Sequence, residues 1–155
     1  MHGKVYGKLR VCSMSSESVS HQFRKLLIVD DNKEITDIIE EVARVAGYDV
    51  VSVNDFREVK DAYREFEPDL IFLDLDLGLD GDMDMSEKGY DGLALFNFLA
   101  RIESRSMIVL ISGMGKEKIK LTKNIGKEMN LNVVGSFSKP FSIDRIDQLL
   151  LKLRR

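Results

Sequence analysis

Four places in the chain hold residue types able to do acid-base or phosphoryl chemistry, and each lies at the end of an apolar run or close behind one. Asp30 and Asp31 follow "LLIV", Asp74 follows "LIFL", Ser112 follows "VLI", and Lys139 lies in "FSKPF". One acid behind a strand is most often a helix N-cap. The conjunction of several is what points to a site. Three carboxylates drawn into one partly desolvated crevice repel one another unless a cation neutralises them. Their oxygen-only donor set suits Mg²⁺, which keeps several waters and takes one or two carboxylates together with phosphate oxygens. A lysine ammonium and a serine hydroxyl beside them suit holding a phosphoryl group after a carboxylate attacks phosphorus.

These residues meet only if the elements beneath them are arranged to bring them together. From Lys25 onward, apolar blocks of strand length alternate with segments of helical period. "KLLIV" (25–29) reads as a strand buried on both faces. Ile35, Ile38, Ile39, Val42, Val45 and Ala46 then form an apolar helix face that ends at Gly47, a C-terminal cap. "DVVSV" (49–53) is a second strand, and a helix over 57–66 stops before Pro68. "LIFL" (70–73) is the third strand, followed after a long loop by a helix over 92–102 with Leu93, Leu95, Phe96 and Leu99 inward. "MIVLI" (107–111), a helix over 116–129 with Ile119, Ile125 and Met129 apolar, and "VVGSF" (133–137) come next. A closing helix over 142–153 starts at Ser142, which can cap it. Five such units imply a parallel sheet with helices on both faces, because parallel strands need right-handed crossovers. Sheets of this kind bind ligands outside the carboxyl ends of their strands, where the four polar stretches fall.

Composition agrees with a single domain. The chain has 155 residues, 44% of them hydrophobic, enough for a substantial core. With 26 acids against 23 bases the net charge is −3, which argues against a general nucleic-acid or lipid-surface binder. Cys12 is the one cysteine, so no internal disulfide or multi-thiolate metal site is expected, and a reducing cytoplasm is the expected compartment. No apolar run approaches the length of a membrane-spanning helix. Residues 1–24, Ser-rich and without periodicity, read as a flexible leader, with residues 25–155 as the folded domain.

The stretches "LLIVDDN", "PDLIFLDLDL", "VLISG" and "FSKPF" stand in the order, and at a spacing close to that, found in one family. Over residues 25–153 the chain resembles a receiver domain of the response regulators of two-component signalling. That resemblance implies a doubly wound five-stranded parallel sheet in the order 2-1-3-4-5, a flavodoxin-like three-layer α/β sandwich. It implies that Asp74 is the phosphorylation site, that Ser112 and Lys139 act with it, and that Asp30, Asp31, Asp74 and the Asp76 backbone carbonyl serve Mg²⁺, Asp30 through a metal-bound water. Gly113 would leave room for the incoming group. The phosphoryl donor would be a phosphohistidine of a sensor histidine kinase or a histidine phosphotransfer protein. The receiver would catalyse only its own phosphorylation and dephosphorylation, and so switch binding of a downstream protein. No DNA-binding domain is expected within this chain, which would be a stand-alone receiver or the front of a longer regulator.

Some positions depart from the family pattern. Receivers usually place an aromatic residue three positions before the lysine, but Ser136 stands there, and strand alternation points Phe137 to the opposite face. Where a proline normally follows the phosphoacceptor by four residues there is Gly78, then an acidic loop over 78–91 about ten residues longer than usual. Met85 and Asp91 stand where a calcium loop needs its glycine and bidentate glutamate, so a solvated acidic loop beside the site is expected, with partner discrimination as its functional reading. Lys116, Lys120, Lys123 and Lys127 line one face of the fourth helix, a solvated stripe or a docking surface for an acidic partner. "GMGKEK" (113–118) lacks the first glycine and the metal-binding hydroxyl of a phosphate loop. "FLDLDLG" also resembles the first motif of haloacid-dehalogenase-type phosphatases, with Asp74 as nucleophile and Asp76 as general acid. That family, however, places its nucleophile on the first strand and its metal-binding acids late. A non-phosphorylated, receiver-like interaction module is the third reading.

Overall fold

The computed structural model describes residues 25–75, 94–113 and 115–153. Strands β1 (Lys25–Val29), β2 (Asp49–Val53), β3 (Leu70–Asp74), β4 (Met107–Ser112) and β5 (Asn132–Ser138) form one sheet in the order β2-β1-β3-β4-β5. Every neighbouring pair is parallel. This is the doubly wound α/β architecture and strand order expected from the sequence. Three strands run a residue or more beyond their expected ends, so Asp74 and Ser112 are the final residues of β3 and β4 rather than the first residues of loops.

The crossovers are α1 (Lys33–Val45), α2 (Val59–Phe66, entered through a 3-10 turn at Phe56–Glu58), α3 (94–101), α4 (Lys116–Glu128), and, after β5, α5 (Ile143–Leu153). Strand alternation sorts the buried residues into two cores. Leu26, Ile28, Leu70, Phe72, Val109 and Ile111 pack against Ile39 and Ala43 of α1 and Ile146 and Leu150 of α5. Leu27, Val29, Ile71, Leu73, Ile108 and Leu110 pack against α2, α3 and α4 through Val59, Phe66, Leu95, Phe96, Leu99 and Ile119. The result is a three-layer sandwich.

Helix ends explain the local boundaries. The Asn32 side chain accepts hydrogen bonds from the Glu34 and Ile35 amides and so caps α1. At the other end Gly47, at φ 97°, donates to Arg44 while Tyr48 donates to Ala43, a Schellman motif that favours glycine. Ser142 Oγ accepts from the Arg145 amide at 3.4 Å, as expected of a cap on α5. The apolar face expected of α1 needs one correction: Ile38 is 43% and Val45 82% exposed, and Thr36 is buried instead. The helix docks through the Thr36, Ile39 and Ala43 row, which rotates those two apolar positions into solvent. Tyr48, buried, donates its hydroxyl to the Leu150 carbonyl at 2.6 Å and ties the α1–β2 turn to α5.

One irregularity sets which way β5 faces. Ile108 pairs with Val133, but Val109 pairs with Gly135, so Val134 is an extra residue bulged out of the ladder. Beyond it Ser136 lies beside Leu110, on the α4 side, and Phe137 beside Ile111, on the α5 side. Phe137 packs with Phe72 and Phe141 at ring-centroid distances of 6.4 and 6.1 Å. The expected separation of Ser136 and Phe137 onto opposite faces is present. Residues 1–24, the acidic loop over 78–91, Asp76 and Leu93 lie outside the described residues.

Candidate functional site

The site is built at the carboxyl edge of the three middle strands and β5. Asp30 follows β1 and is held there from both sides of its peptide unit. Its amide donates to the Val53 carbonyl at 3.1 Å, and its carbonyl accepts from Asn54 Nδ2 at 2.7 Å. Its Oδ1 accepts from the Asn32 amide at 2.8 Å, an Asx-type turn that points the carboxylate inward. Asp30 is therefore fully buried, whereas Asp31, one residue later, is exposed. Asp74 ends the central strand and is 2% exposed; Ser112 ends β4 and is fully buried. The Lys139 amide donates to the Ser112 carbonyl at 2.9 Å, which fixes the lysine at the end of β5 just before a cis peptide bond to Pro140.

Their side chains meet. Lys139 Nζ donates to Asp74 Oδ1 at 3.2 Å and stands 3.7 Å from Asp30 Oδ2. Asp30, Asp31 and Asp74 each offer one oxygen to a group in which all three oxygens lie within 4.8 Å of one another. Burial pushes the Asp30 carboxyl above the usual carboxylate range; the Asn32 amide, Asp74 and Lys139 pull against that rise, and Asp31 adds to it. Three acids beside one lysine leave excess negative charge in a largely buried cluster. An oxygen-only set of this kind fits a hard divalent cation such as Mg²⁺.

Of the residues singled out in the sequence, Asp30, Asp31, Asp74 and Lys139 come together, and Ser112 lies on the same edge at the end of β4, beside β3. Asp76 is outside the described residues. Three supporting residues escaped the sequence reading. Asn32 carries a recognisable signal, standing three residues before the first apolar position of α1. Asn54 carries none, because its contact depends on β2 lying beside β1. Lys118 of α4 donates to the Leu75 carbonyl at 3.3 Å, directly behind Asp74, and helical spacing alone does not distinguish it from the other lysines of that helix.

Solved structures of the same fold were found. A response regulator from Colwellia psychrerythraea superposes with a TM-score of 0.67 at 23% identity, over 85% of this chain and 97% of that one. The N-terminal domain of the nisin resistance regulator NsrR matches at 29% identity and TM-score 0.61, over 85% and 98% of the two chains. NtrX from Brucella abortus matches at 24% identity and TM-score 0.63, over 83% of this chain but 26% of that longer one. Among the described residues no helix is long and apolar enough to cross a membrane. The family model of the response regulator receiver domain matches residues 26–151, from the first core strand to the last helix, and on that match this chain belongs to the response regulator receiver family.

Proposed function

We propose that this receiver takes a phosphoryl group onto Asp74 from a phosphohistidine of a sensor kinase or phosphotransfer protein, and that the phosphorylated form has altered affinity for a downstream protein. The observation that carries the reading is the Asp74 carboxylate at the end of the central strand, 3.2 Å from Lys139 Nζ and grouped with Asp30 and Asp31. An Asp74 carboxylate oxygen attacks phosphorus, an O–P bond forms, and the N–P bond breaks with its electron pair returning to the imidazole. Asp74 becomes an acyl phosphate. Lys139 then pairs with the phosphoryl oxygens in place of the carboxylate, and the Ser112 hydroxyl donates to another of them. Attack of water on phosphorus later restores the carboxylate and releases inorganic phosphate.

Asp30, Asp31 and Asp74 are the residues that would hold Mg²⁺, with the Asp76 backbone carbonyl as a further donor. When bound, the cation would offset carboxylate charge and the charge on the phosphoryl oxygens. With the family known, a haloacid-dehalogenase-type phosphatase is set aside. The test is incubation with acetyl phosphate and Mg²⁺ followed by intact-mass measurement. One phosphoryl addition is expected, lost in Asp74→Ala. No addition, or addition that survives the substitution, would overturn the switch and favour a non-phosphorylated interaction module.

A further inference from the structure

A cleft lies along the edge strand β5, between α4 and α5, with a volume of about 660 Å³ and with Lys116, Lys120, Lys123 and Arg145 in its lining. The three lysines fall on successive turns of α4 and spread over about 10 Å of helix, while Arg145 comes from α5 on the opposite side. Lys127, which continues the stripe in sequence, does not line it. No acid lines the cleft, and among the described residues none of the four cations is in an ion pair. Like charges at such helical spacing repel and modestly disfavour the helix, an effect that Glu117 in its first turn offsets only in part. This is a local concentration of positive charge in a chain of net charge −3.

The rest of the lining is not basic. Ser136, Ser138 and Ser142 bring hydroxyls, and Ile119, Phe137, Pro140 and Phe141 bring apolar surface. Ser136 is there because the Val134 bulge turns it toward α4 and sends Phe137 mainly into the other core. The volume is that of a small-molecule site, in the range of about 300–1,000 Å³. A single phosphate reaches only part of a cation array this long. A peptide segment small enough to fit would have to be acidic at nearly every position to match the charge, which leaves no side chain for the apolar surface. A planar ring joined to a polyphosphate meets both requirements.

We propose that this cleft binds a nucleoside polyphosphate, with its phosphates along Lys116, Lys120, Lys123 and Arg145 and its ring against Pro140 and Phe141. The site is separate from Asp74 and its occupancy needs no phosphorylation. The test is an amide NMR titration of the unphosphorylated full chain with ATP in chelator, which keeps divalent metal from bridging the nucleotide to the acidic cluster. Saturable shifts at Lys120, Ser136, Ser138 and Phe141 are expected, with weaker binding of adenosine and of inorganic triphosphate. The exposed pair K116E/K120E, and R145E separately, should each weaken ATP by about tenfold or more with the remaining spectrum unchanged. No saturable shift up to millimolar ATP, shifts confined to Asp30, Asp31 and Lys139, or an affinity indifferent to both variants would overturn the proposal. So would tighter binding of an oligo-glutamate peptide than of ATP at the same amides. Because phosphorylation is read by mass, failure here and failure of the Asp74 chemistry remain distinct results.

Discussion

Lys139 Nζ stands 3.2 Å from Asp74 Oδ1, a contact between residues 65 positions apart that closes the gap between the end of β5 and the end of the central strand. The Asp74 side chain is 1% exposed and that of Lys139 21%. Removing the cation leaves Asp74 and Asp30 with a poorly compensated buried charge. Lys139→Met should therefore cost about 3 kcal/mol of stability in chelator, and Mg²⁺ should recover part of it. Urea denaturation with and without the metal is the measurement. A loss under about 0.5 kcal/mol, the scale of an ordinary surface change, would mean the pair is not an energetic unit.

Asp30 predicts a pH dependence of definite sign. Its folded-state pKa is raised by burial above the ordinary 3.8, so the unfolded chain releases this proton first as pH rises. The cost of ionising it in the fold is absent below pH 3.8 and complete above the folded pKa. Asp30→Asn keeps an acceptor for the Asn32 amide and removes the ionisation. In chelator the variant should melt above the wild type at neutral pH, and that advantage should shrink as pH falls toward 3.8. An advantage constant with pH would assign the effect to something other than burial of the charge.

Asp55 predicts the opposite sign at a half-buried position near the surface. Its pKa is lowered from 3.8 to about 2, first by the Arg57 side chain, which donates at 2.8 and 3.1 Å, and then by the Arg57 amide. The stabilising contribution is present above pH 3.8 and is lost as pH falls through about 2. An NMR titration of the Asp55 carboxyl should show that low midpoint, and Arg57→Ala should move it upward while leaving the amide contribution. A midpoint at the ordinary value in the wild type would show that the pair does not persist in solution.

Gly126 predicts a substitution whose local and packing effects oppose each other. It is buried in α4, and a methyl group placed on it would meet Val133 Cγ2 at 2.9 Å and Phe96 Cε2 at 3.2 Å. Alanine gains about 1 kcal/mol of helix propensity there. Overpacking of a filled contact costs about 1–3 kcal/mol, and Val133 is β-branched and stiff, so the net effect of Gly126→Ala should be destabilising. A shift of the urea midpoint to higher concentration would show that α4 can move away from β5 at little cost.

Several features of this receiver were legible in the residues themselves. Apolar blocks of strand length followed by helical periodicity announced five crossover units, and Asp30, Asp74 and Ser112 stood where those blocks end. A buried parallel strand must be apolar along its length, so a polar residue marks its exit. Where the pattern misled, as at Ile38 and Val45, hydrophobicity recorded what α1 is able to bury and not the row through which it docks.

Tertiary structure decided what periodicity does not encode. Asp30 and Asp31 are adjacent and chemically identical, yet one is sealed by the Val53, Asn54 and Asn32 contacts and the other faces solvent. The Val134 bulge chose which face of β5 received Phe137 and which received Ser136, because one extra residue inverts a period of two. The meeting of Lys139 with Asp74, and the lining of one cleft by the α4 lysines and Arg145, required chain segments distant in sequence to be brought to the same region of the fold. Residue types and local spacing established the strands, the helices and the chemistry available at their ends; packing of the layers determined which charges share a buried space.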